Sequence, residues 1–424
     1  MNMSSLPGFR DFYPEDFALR NHICTVWREV AQRYGFVEYD GPPLEPLDLY
    51  ARKSGDEIVG QLYRFTDQGG REVALRPEMT PTLARMVGAR AAGLPKPIRW
   101  FSIPQLFRYE RPQKGRLREH FQLNLDIVGE PGELAEAEIL AAAIDVLRAF
   151  GLGSGDFVAR VSDRRLIGAV LEAAGVPHGS LGEAFAALDR LDREPEDRVL
   201  ARLAEAGAGE RASEVVLRLG ELGLDALLRE FGEDRGVREG VSRLQLVLGH
   251  VAACGLGDFV EFDARLVRGL AYYTGLVFEL WDRKGDFRAI CGGGRYDDLL
   301  ASLGGPDLPA LGFGMGDVVL AGLLRDRGLT PKPGAAVQDF VVCVSEAELE
   351  TALRVAHALR GRGRRVSFDL AGRSVGRQFR AAGQAGAERA IVIGPDELAR
   401  GEVVVRDMNT GREQSVALER LLAD

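Results

Sequence analysis

Apolar residues at helical spacing near the N-terminus predict an amphipathic helix over residues 17–34. Further helices are predicted after Pro81, over residues 132–150 and from about Asp297. Short apolar runs predict strands at Val37–Tyr39, Leu62–Thr66, Val73–Leu75, Phe157–Val161, Val260–Asp263, Leu276–Trp281 and Phe287–Cys291. This mixture of strands and helices indicates an α+β chain.

A basic segment lies between two further apolar runs. The runs RWFSIPQLF and FQLNLDIVG predict two antiparallel strands, joined by a long loop within residues 97–129. The loop carries the cations Arg108, Arg111, Lys114, Arg116 and Arg118. Guanidinium groups form paired, charge-assisted hydrogen bonds with phosphoryl oxygens, so the loop predicts a phosphate-binding site. A charged surface hairpin without a ligand is the alternative.

The pattern changes twice more and divides the chain into domains. Residues from about 163 to 255 are rich in Ala, Leu, Glu and Arg at helical periods, which predicts a helical module inserted into a sheet domain. A linker containing Pro and Gly follows over residues 326–337. Residues 338–424 alternate between strand and helix patterns, from DFVVCVSE to GEVVVRDM, and predict a compact α/β domain.

The composition is that of a folded globular protein. Apolar residues make up 46% of the 424 residues and charged residues 28%, which excludes a disordered chain and allows two or three domains. We expect no membrane span and no secretory signal, because no apolar run of the necessary length occurs. Four scattered cysteines without metal-ligand spacing favour a reducing compartment, so we expect a cytoplasmic protein.

Charge is distributed unevenly along the chain. The net charge is −9, yet residues 338–424 contain 13 arginines and 13 acidic residues, so the whole excess lies upstream. Within that neutral domain a basic patch is predicted, formed by Arg360, Arg362, Arg364, Arg365, Arg373, Arg377 and Arg380. Asp369 is the one acidic residue among them. The patch favours a polyanionic partner, and a solvated helix face is the alternative.

Four more segments carry candidate chemistry. They are LRPEMTPT at 75–82, LVRGLAYYTGLVFE at 266–279, CGGGRYDDL at 291–299 and ALGFGMGDVVL at 310–320. Consecutive glycines are more typical of close backbone packing than of phosphate loops. The chain has no Walker-type glycine-rich motif, and spacing alone indicates no Ser/His/Asp arrangement.

Together these segments resemble those of the histidine–tRNA ligases, which are class II aminoacyl-tRNA synthetases. RYERPQKGR resembles motif 2, RPEMT the amino-acid-binding loop, and RGLAYYTG and GGGRYDDL two histidine-specific signatures. The resemblance extends from GFRDFYPED to the C-terminal domain and is weakest in the helical insert. It implies a catalytic domain over residues 1–325, with an antiparallel sheet of the class II synthetase type. It also implies an anticodon-binding domain over residues 338–424.

The resemblance implies catalytic and nucleotide-binding roles. Arg108 and Arg268 would hold the α-phosphate of ATP from two sides, and Arg108 would also hold the amino-acid carboxylate. Two fixed cations stabilise charge that develops on phosphorus and bring two anions together. Glu110 would bind the adenine amino group and Arg116 the triphosphate end. Magnesium would bridge the phosphates, and no protein ligand for it is indicated by spacing.

The residues implied to surround the histidine substrate are Glu78, Thr80, Gln122, Asp126, Arg268, Tyr272, Tyr273 and Tyr296. Among them, Glu78, Thr80 and Gln122 would contact the α-ammonium group. Asp126 and Tyr273 would face the two imidazole nitrogens and exclude side chains that lack those polar sites. An ordinary ion pair with a neighbouring arginine is the alternative for the two carboxylates.

Three positions depart from the family pattern. The third motif has Val319 where the family has an arginine that clamps ATP, and Arg295 is a candidate replacement for that charge. The usual aspartate of the RGL-x-YY signature is Ala271. The aromatic residue that stacks on adenine is His120, unless Phe121 takes that role.

Two other functions stay open at this level. The missing arginine favours a non-catalytic paralogue such as the regulatory subunit of ATP phosphoribosyltransferase, whereas the C-terminal domain opposes it. A class II synthetase for another amino acid is opposed by the two histidine-type signatures. The resemblance further implies a homodimer with GPPLEPL (41–47) at its interface, and tRNA(His) contacted through its acceptor end and anticodon.

Overall fold

The computed structural model describes residues 4–51, 60–113, 115–191, 194–268, 272–331 and 337–422. The chain divides into two compact units, Met1–Thr330 and Pro331–Asp424. Lys114 and Ala271, both singled out in the sequence, lie outside the described residues, as does part of the expected linker.

The first unit contains a large mixed sheet and a small one. Its strands are β1 (Val37–Glu38), β2 (Leu44–Pro46), β3 (Arg64–Thr66), β4 (Glu72–Leu75), β5 (Ile98–Ser102), β6 (Gln105–Phe107), β7 (Glu119–Val128), β8 (Phe157–Asp163), β9 (Val260–Phe262), β10 (Leu276–Asp282), β11 (Cys291–Arg295) and β12 (Ala310–Gly316). The large sheet has the order β1-β5-β7-β12-β11-β10-β8-β9, and β6 also pairs with β7. Its central strands pair antiparallel as predicted, whereas the β1–β5 and β8–β9 pairs at the edges are parallel.

Helices flank this sheet and form the insert. They are α1 (Pro14–Arg33), α2 (Leu47–Ala51), α3 (Thr80–Arg90), α4 (Glu133–Ala149), α5 (Arg164–Ala173), α6 (Leu181–Leu188), α7 (Glu196–Glu205), α8 (Glu210–Arg218), α9 (Leu224–Phe231), α10 (Arg235–Ala253), α11 (Leu299–Ser302) and α12 (Asp317–Asp326). The helices predicted over 17–34 and 132–150 are confirmed as α1 and α4. Within the described residues, no helix has the length and apolar character that a membrane span requires.

The main core lies where α1 and α4 cover the large sheet. Trp27 of α1 and Ile144 of α4 are fully buried, and both belong to the same apolar cluster as Leu125 of β7. The many alanines of α4 (ELAEAEILAAAIDVLRA) allow it to pack closely against β7 and β12. Full burial of one such large apolar side chain stabilises the fold by roughly 1.5–3 kcal/mol.

The helices α5 to α10 occupy residues 164–253, so the predicted helical character of residues 163–255 is confirmed. They are inserted in the sequence between β8 and β9, two strands that are neighbours in the sheet. Helix α10 packs on both α4 and α5. A Cβ atom at Gly240 of α10 would lie 2.9 Å from Leu166 Cβ, so glycine permits this close helix contact.

One strand prediction is wrong. A strand was expected at Phe287–Cys291, but the paired segment is the glycine run that follows it, Cys291–Arg295. A Cβ atom at Gly293 would lie 2.4 Å from Gly312 O, so only glycine fits between the neighbouring strands. Pairing with β10 and β12 therefore overrides the low strand propensity of glycine.

The second unit is the predicted α/β domain. Its strands are β13 (Asp339–Cys343), β14 (Val366–Phe368), β15 (Arg389–Ile393), β16 (Glu402–Asp407) and β17 (Glu413–Ala417), in the sheet order β14-β13-β15-β16-β17. Its helices are α13 (Leu349–Gly361), α14 (Val375–Gln384), α15 (Pro395–Leu398) and α16 (Leu418–Leu422). Strand β17 and the two short helices were not predicted.

Part of the predicted basic patch serves the fold of this unit. Arg364 of the patch forms an ion pair with the buried carboxylate of Asp339, which also pairs with Arg389 from outside the patch. Arg377 and Arg380 of α14 are exposed to solvent. Of the seven arginines of the predicted patch, Arg364 is therefore the one that is partly buried.

Candidate active site

Two adjacent cavities open over the large sheet of the first unit. The smaller has a volume of about 360 Å³ and the larger about 630 Å³. Arg108, Arg116, Arg268 and Glu279 line both cavities. The two spaces therefore meet at a junction bordered by three arginines and one glutamate.

Strand β7 supplies one wall of this site. His120 lines the larger cavity, and Gln122, Asn124 and Asp126 line the smaller one. These are alternate residues of one strand, so their side chains lie on the same face of the sheet. The ring of Phe121 lies on the opposite face, and its centroid is 6.2 Å from that of Phe12. The structure therefore brings His120 to the site but not Phe121.

The glycines of β12 leave space for the side chains of β7. Gly312 and Gly314 pair with Asp126 and Asn124, respectively. A Cβ atom at Gly312 would lie 2.3 Å from Asp126 Oδ1, and one at Gly314 would lie 2.3 Å from Gln122 Nε2. The glycines of this GxGxG pattern therefore leave room for the side chains that line a pocket. They form no phosphate-binding loop.

The smaller cavity gathers the residues that were assigned to histidine. Its lining includes Glu78, Thr80, Gln122, Asp126, Arg268, Tyr272, Tyr273 and Tyr296. Tyr272 Oη donates to Glu78 Oε2 at 3.4 Å, and Tyr296 Oη donates to Asp126 Oδ1. The tyrosines lie 194 and 170 residues beyond their partners in sequence, so the tertiary fold assembles the pocket.

Asp126 carries a strongly perturbed carboxyl group in this cavity. Burial raises the pKa of Asp126 to about 7, against the opposing effect of the hydrogen bond from Tyr296. The charged form is disfavoured because few groups replace its lost hydration. A hydrogen bond from an N–H group of a bound ligand would therefore stabilise the charged form of Asp126.

Arg268 reaches the junction in an unusual backbone conformation. Its φ is 52°, the one positive value found for a non-glycine residue within the described ranges. The guanidinium lies 5.4 Å from the ring centroid of Tyr273, and Nη1 lies 3.7 Å from Glu279 Oε1. A Cβ atom at Gly292 would lie 1.6 Å from that Nη1, so glycine there admits the arginine. Backbone strain of this kind is typical of functional sites.

Arg108 approaches the junction from the basic hairpin. Its Nε donates to the carbonyl oxygen of Pro77 at 2.9 Å, which ties the hairpin to the segment that precedes α3. Arg108 directly follows β6 and Arg268 lies in the connection between β9 and β10, but both border the same junction. The arrangement leaves two guanidinium groups around one position between the cavities.

The larger cavity is lined by the remaining hairpin residues. Glu110 and Arg116 form an ion pair across the basic loop. Burial, together with the charge of Arg108, lowers the pKa of His120 to about 4, so its imidazole is neutral near pH 7. Val319, the residue in place of the third-motif arginine, also lines this cavity.

Arg295 does not replace the missing third-motif arginine, and that expectation is wrong. Its side chain is fully buried, and Nε donates to Glu136 Oε1 at 2.5 Å. Further hydrogen bonds link it to Asp297 and to the carbonyl oxygens of Glu130 and Gly132. Arg295 therefore links β11 to the N-terminal end of α4 and takes no part in lining either cavity.

The structure adds site residues that sequence reasoning missed, namely Gln61, Asn124, Asp189 and Glu279. Asn124 could have been predicted as a site residue, because it alternates with Gln122 and Asp126 along one strand. Asp189 directly follows α6 in the helical insert, and no local pattern indicates that the insert reaches the cavity. Glu279 is the last residue of the segment LVRGLAYYTGLVFE, but no role was assigned to it from the sequence.

The described residues of the two cavities do not form a protein-built metal site. Among the described residues there is no cluster of three or more His, Cys, Asp or Glu side chains that could hold a metal ion. Glu110 and Glu279 are the carboxylates of the larger cavity, and each is paired with an arginine. These residues fit a magnesium ion that is held mainly by the phosphates of a bound nucleotide.

Comparison with known proteins identifies the family. A family model described as histidyl-tRNA synthetase matches residues 8–316, and an anticodon-binding-domain model matches residues 338–423. A histidine–tRNA ligase from Opitutus terrae is 48% identical over 423 residues, which cover 99% of this chain and 97% of that protein. The chloroplastic/mitochondrial histidine–tRNA ligase of Arabidopsis thaliana is 41% identical, with 98% and 85% covered.

A solved structure agrees with this result. The histidyl-tRNA synthetase from Nostoc sp. PCC 7120 aligns with a TM-score of 0.82 at 25% sequence identity, over 99% of both chains. The relatives and the family models together cover both units of the chain. The chain therefore belongs to the histidyl-tRNA synthetase family.

Proposed function

We propose that this enzyme activates L-histidine with ATP to form histidyl-adenylate and then transfers the histidyl group to the terminal ribose of tRNA(His). One observation carries the proposal: Arg108 and Arg268 border both cavities at their junction. The smaller cavity, with its carboxylates, amides and phenols, suits an amino acid. The larger one has more arginines than carboxylates and suits a nucleotide.

The activation step follows from this arrangement. A carboxylate oxygen of histidine attacks the α-phosphorus of ATP, the bond to the bridging oxygen breaks, and pyrophosphate leaves. Arg108 and Arg268 stabilise the negative charge that builds on the non-bridging oxygens. They also hold two anions together that repel each other in water, which lowers the entropic cost of the encounter.

Selectivity for histidine rests on buried polar groups of the smaller cavity. Glu78 accepts hydrogen bonds from the α-ammonium group, together with Thr80 and Gln122. Asp126 accepts from one ring nitrogen, and the hydroxyl of Tyr273 faces the other. A substrate without both nitrogens leaves these groups without partners, which costs binding free energy.

The nucleotide occupies the larger cavity. Glu110 binds the adenine amino group and Arg116 the triphosphate, so their ion pair rearranges when ATP enters. The neutral imidazole of His120 stacks on the adenine ring without an added charge. Magnesium neutralises part of the phosphate charge when it is bound with ATP.

The second unit provides the contact with the tRNA anticodon. Its exposed arginines on α14, Arg377 and Arg380, attract the phosphate backbone. We further propose a homodimer with residues 41–47 at its interface. The four free cysteines fit a reducing cytoplasm.

The direct test is exchange of labelled pyrophosphate into ATP by purified protein, with each amino acid in turn. Histidine-dependent exchange is expected. Exchange with another amino acid would instead assign a different specificity, and no exchange with any amino acid would refute the activity. The matched variant is Asp126→Asn. It keeps the shape of the side chain and removes the carboxylate that accepts the hydrogen bond from the imidazole.

A second assay addresses the regulatory-subunit alternative, which the whole-chain relatives do not favour. Specific binding of tRNA(His) that weakens with rising salt is expected of the synthetase. A protein that binds tRNA(His) no better than other tRNAs would contradict the proposal. Arg377→Ala should weaken binding and reduce the salt dependence, whereas Arg412→Ala, an exposed arginine elsewhere in the unit, serves as its control.

A further inference from the structure

We propose that Arg288, in the connection between β10 and β11, binds the pyrophosphate end of ATP and supplies the cation that α12 lacks at Val319. The inference rests on the nucleotide site proposed above. Arg288 and Val319 both line the larger cavity, together with Arg116. No motif in the sequence singles Arg288 out.

The first argument is position. The Cβ position of Gly115 lies 3.5 Å from Val319 Cγ2 and 4.0 Å from Arg288 Cδ. The side chains of Arg288 and Val319 therefore converge on one part of the cavity wall, beside the basic loop. The guanidinium of Arg288 can therefore reach the part of the cavity that an arginine at position 319 would reach.

The second argument is that the backbone around Arg288 is anchored. The ring of Phe287 fits against α12, where a Cβ atom at Gly322 would lie 3.0 Å from Phe287 Cε1. On the other side, the buried Ile290 donates its N–H to the carbonyl oxygen of Leu280 at 2.8 Å. These contacts hold Arg288 next to α12.

The third argument is charge. Of the other arginines of this cavity, Arg116 pairs with Glu110 and Arg268 with Glu279, whereas Nε of Arg108 donates to the carbonyl oxygen of Pro77. Arg288 is exposed, and within the part of the chain that the structure describes no carboxylate pairs with it. Its charge is therefore available to a ligand. A solvent-facing position fits the phosphates furthest from the reacting centre, because these lie towards the cavity mouth.

The experiment compares Arg288→Ala with the wild-type protein in pyrophosphate exchange and in direct binding of ATP and AMP. The Michaelis constants for ATP and pyrophosphate should rise roughly 10- to 100-fold, as expected for loss of a charge-assisted hydrogen bond. The Michaelis constant for histidine and the affinity for AMP should stay unchanged. Arg288→Lys should retain more ATP affinity than Arg288→Ala, because it keeps the charge.

Lys284→Ala is the control, since it removes a positive charge from the same connection outside both cavities. It should not change any of these constants. An unchanged affinity for ATP in Arg288→Ala, or equal losses for ATP and AMP, would overturn the inference. Absence of exchange in the wild-type protein would instead refute the proposed function, and the binding comparison would still test Arg288.

Discussion

The Nη1 atom of Arg164 lies 3.2 Å from the main-chain carbonyl oxygen of Arg268 and donates a hydrogen bond to it. The same atom lies 3.3 Å from the carbonyl oxygen of Val267. Arg268 has a positive φ, a conformation that costs about 1–3 kcal/mol and persists only where the surroundings hold it. The guanidinium of Arg164 also lies 4.4 Å from the ring centroid of Phe185 in α6. Arg164 thus connects the helical insert to the strained backbone of the proposed catalytic arginine.

We expect Arg164→Gln to lower kcat for histidine activation about 10- to 100-fold, because a small displacement of Arg268 misplaces its charge. Histidine binding should change little. The kinetic constants come from pyrophosphate exchange, and thermal unfolding verifies the fold. In an Arg268→Ala background the Arg164 change should add little further loss, since residues that act as a unit are not additive. A full additional loss in the double variant would contradict a role through Arg268.

Arg268→Ala should reduce the rate of adenylate formation by about 100- to 1000-fold, the range found when one donor to a developing anion is removed. Histidine binding should stay measurable by calorimetry, because most of the contacts of the smaller cavity are retained. Single-turnover formation of adenylate separates the chemical step from product release. Turnover equal to that of the wild-type protein would refute the catalytic role of Arg268.

Histidine affinity should fall as the pH is lowered through about 7, by up to tenfold per pH unit. The reason is that Asp126 then takes up a proton and becomes a poorer acceptor for an imidazole N–H. Calorimetric titrations from pH 6 to 8 measure this dependence. Asp126→Asn should bind histidine weakly and show only the titration of histidine itself, so an identical pH profile in both proteins would exclude Asp126.

The raised pKa of Asp126 also predicts how the free energy of unfolding depends on pH. Its pKa rises on folding, from the ordinary 3.8 to about 7, so its contribution is fully present below pH 4 and is lost as the pH rises through 7. Relative to Asp126→Asn, the wild-type protein should therefore lose free energy of unfolding between pH 6 and pH 8. Urea unfolding of both proteins at the two pH values measures this difference, and a difference that does not change with pH would contradict it.

Arg295→Ala should destabilise the first unit by about 3–5 kcal/mol, because it leaves the buried carboxylate of Glu136 without its main partner. The effect should appear in chemical unfolding, whereas the Michaelis constant for ATP should be unchanged in the protein that remains folded. Glu136→Gln offers a milder version that keeps the size of the side chain. A selective rise in the Michaelis constant for ATP would instead show that Arg295 takes part in nucleotide binding, which contradicts its buried position.

Much of the fold followed from local pattern. The apolar run FQLNLDIVG predicted a strand, and the structure shows that Gln122 and Asp126 lie on one face of it. The basic hairpin likewise required only two apolar runs and a charged loop. The glycine strand β11 could not be predicted in this way, because its backbone is fixed by tight pairing with β10 and β12 and not by its own propensity.

The sequence by itself determined the chemical groups of the site and the segments that carry them, since periodicity and side-chain type are local properties. The tertiary structure decided which of those groups meet. Arg295 lies in a recognised motif but is buried against Glu136, whereas Arg288 lies in no motif and borders the nucleotide cavity. Asp189 reaches the smaller cavity from an insert that follows β8. The physical reason is that burial and pairing of a charge depend on strands and helices far apart in the chain, which no local pattern records.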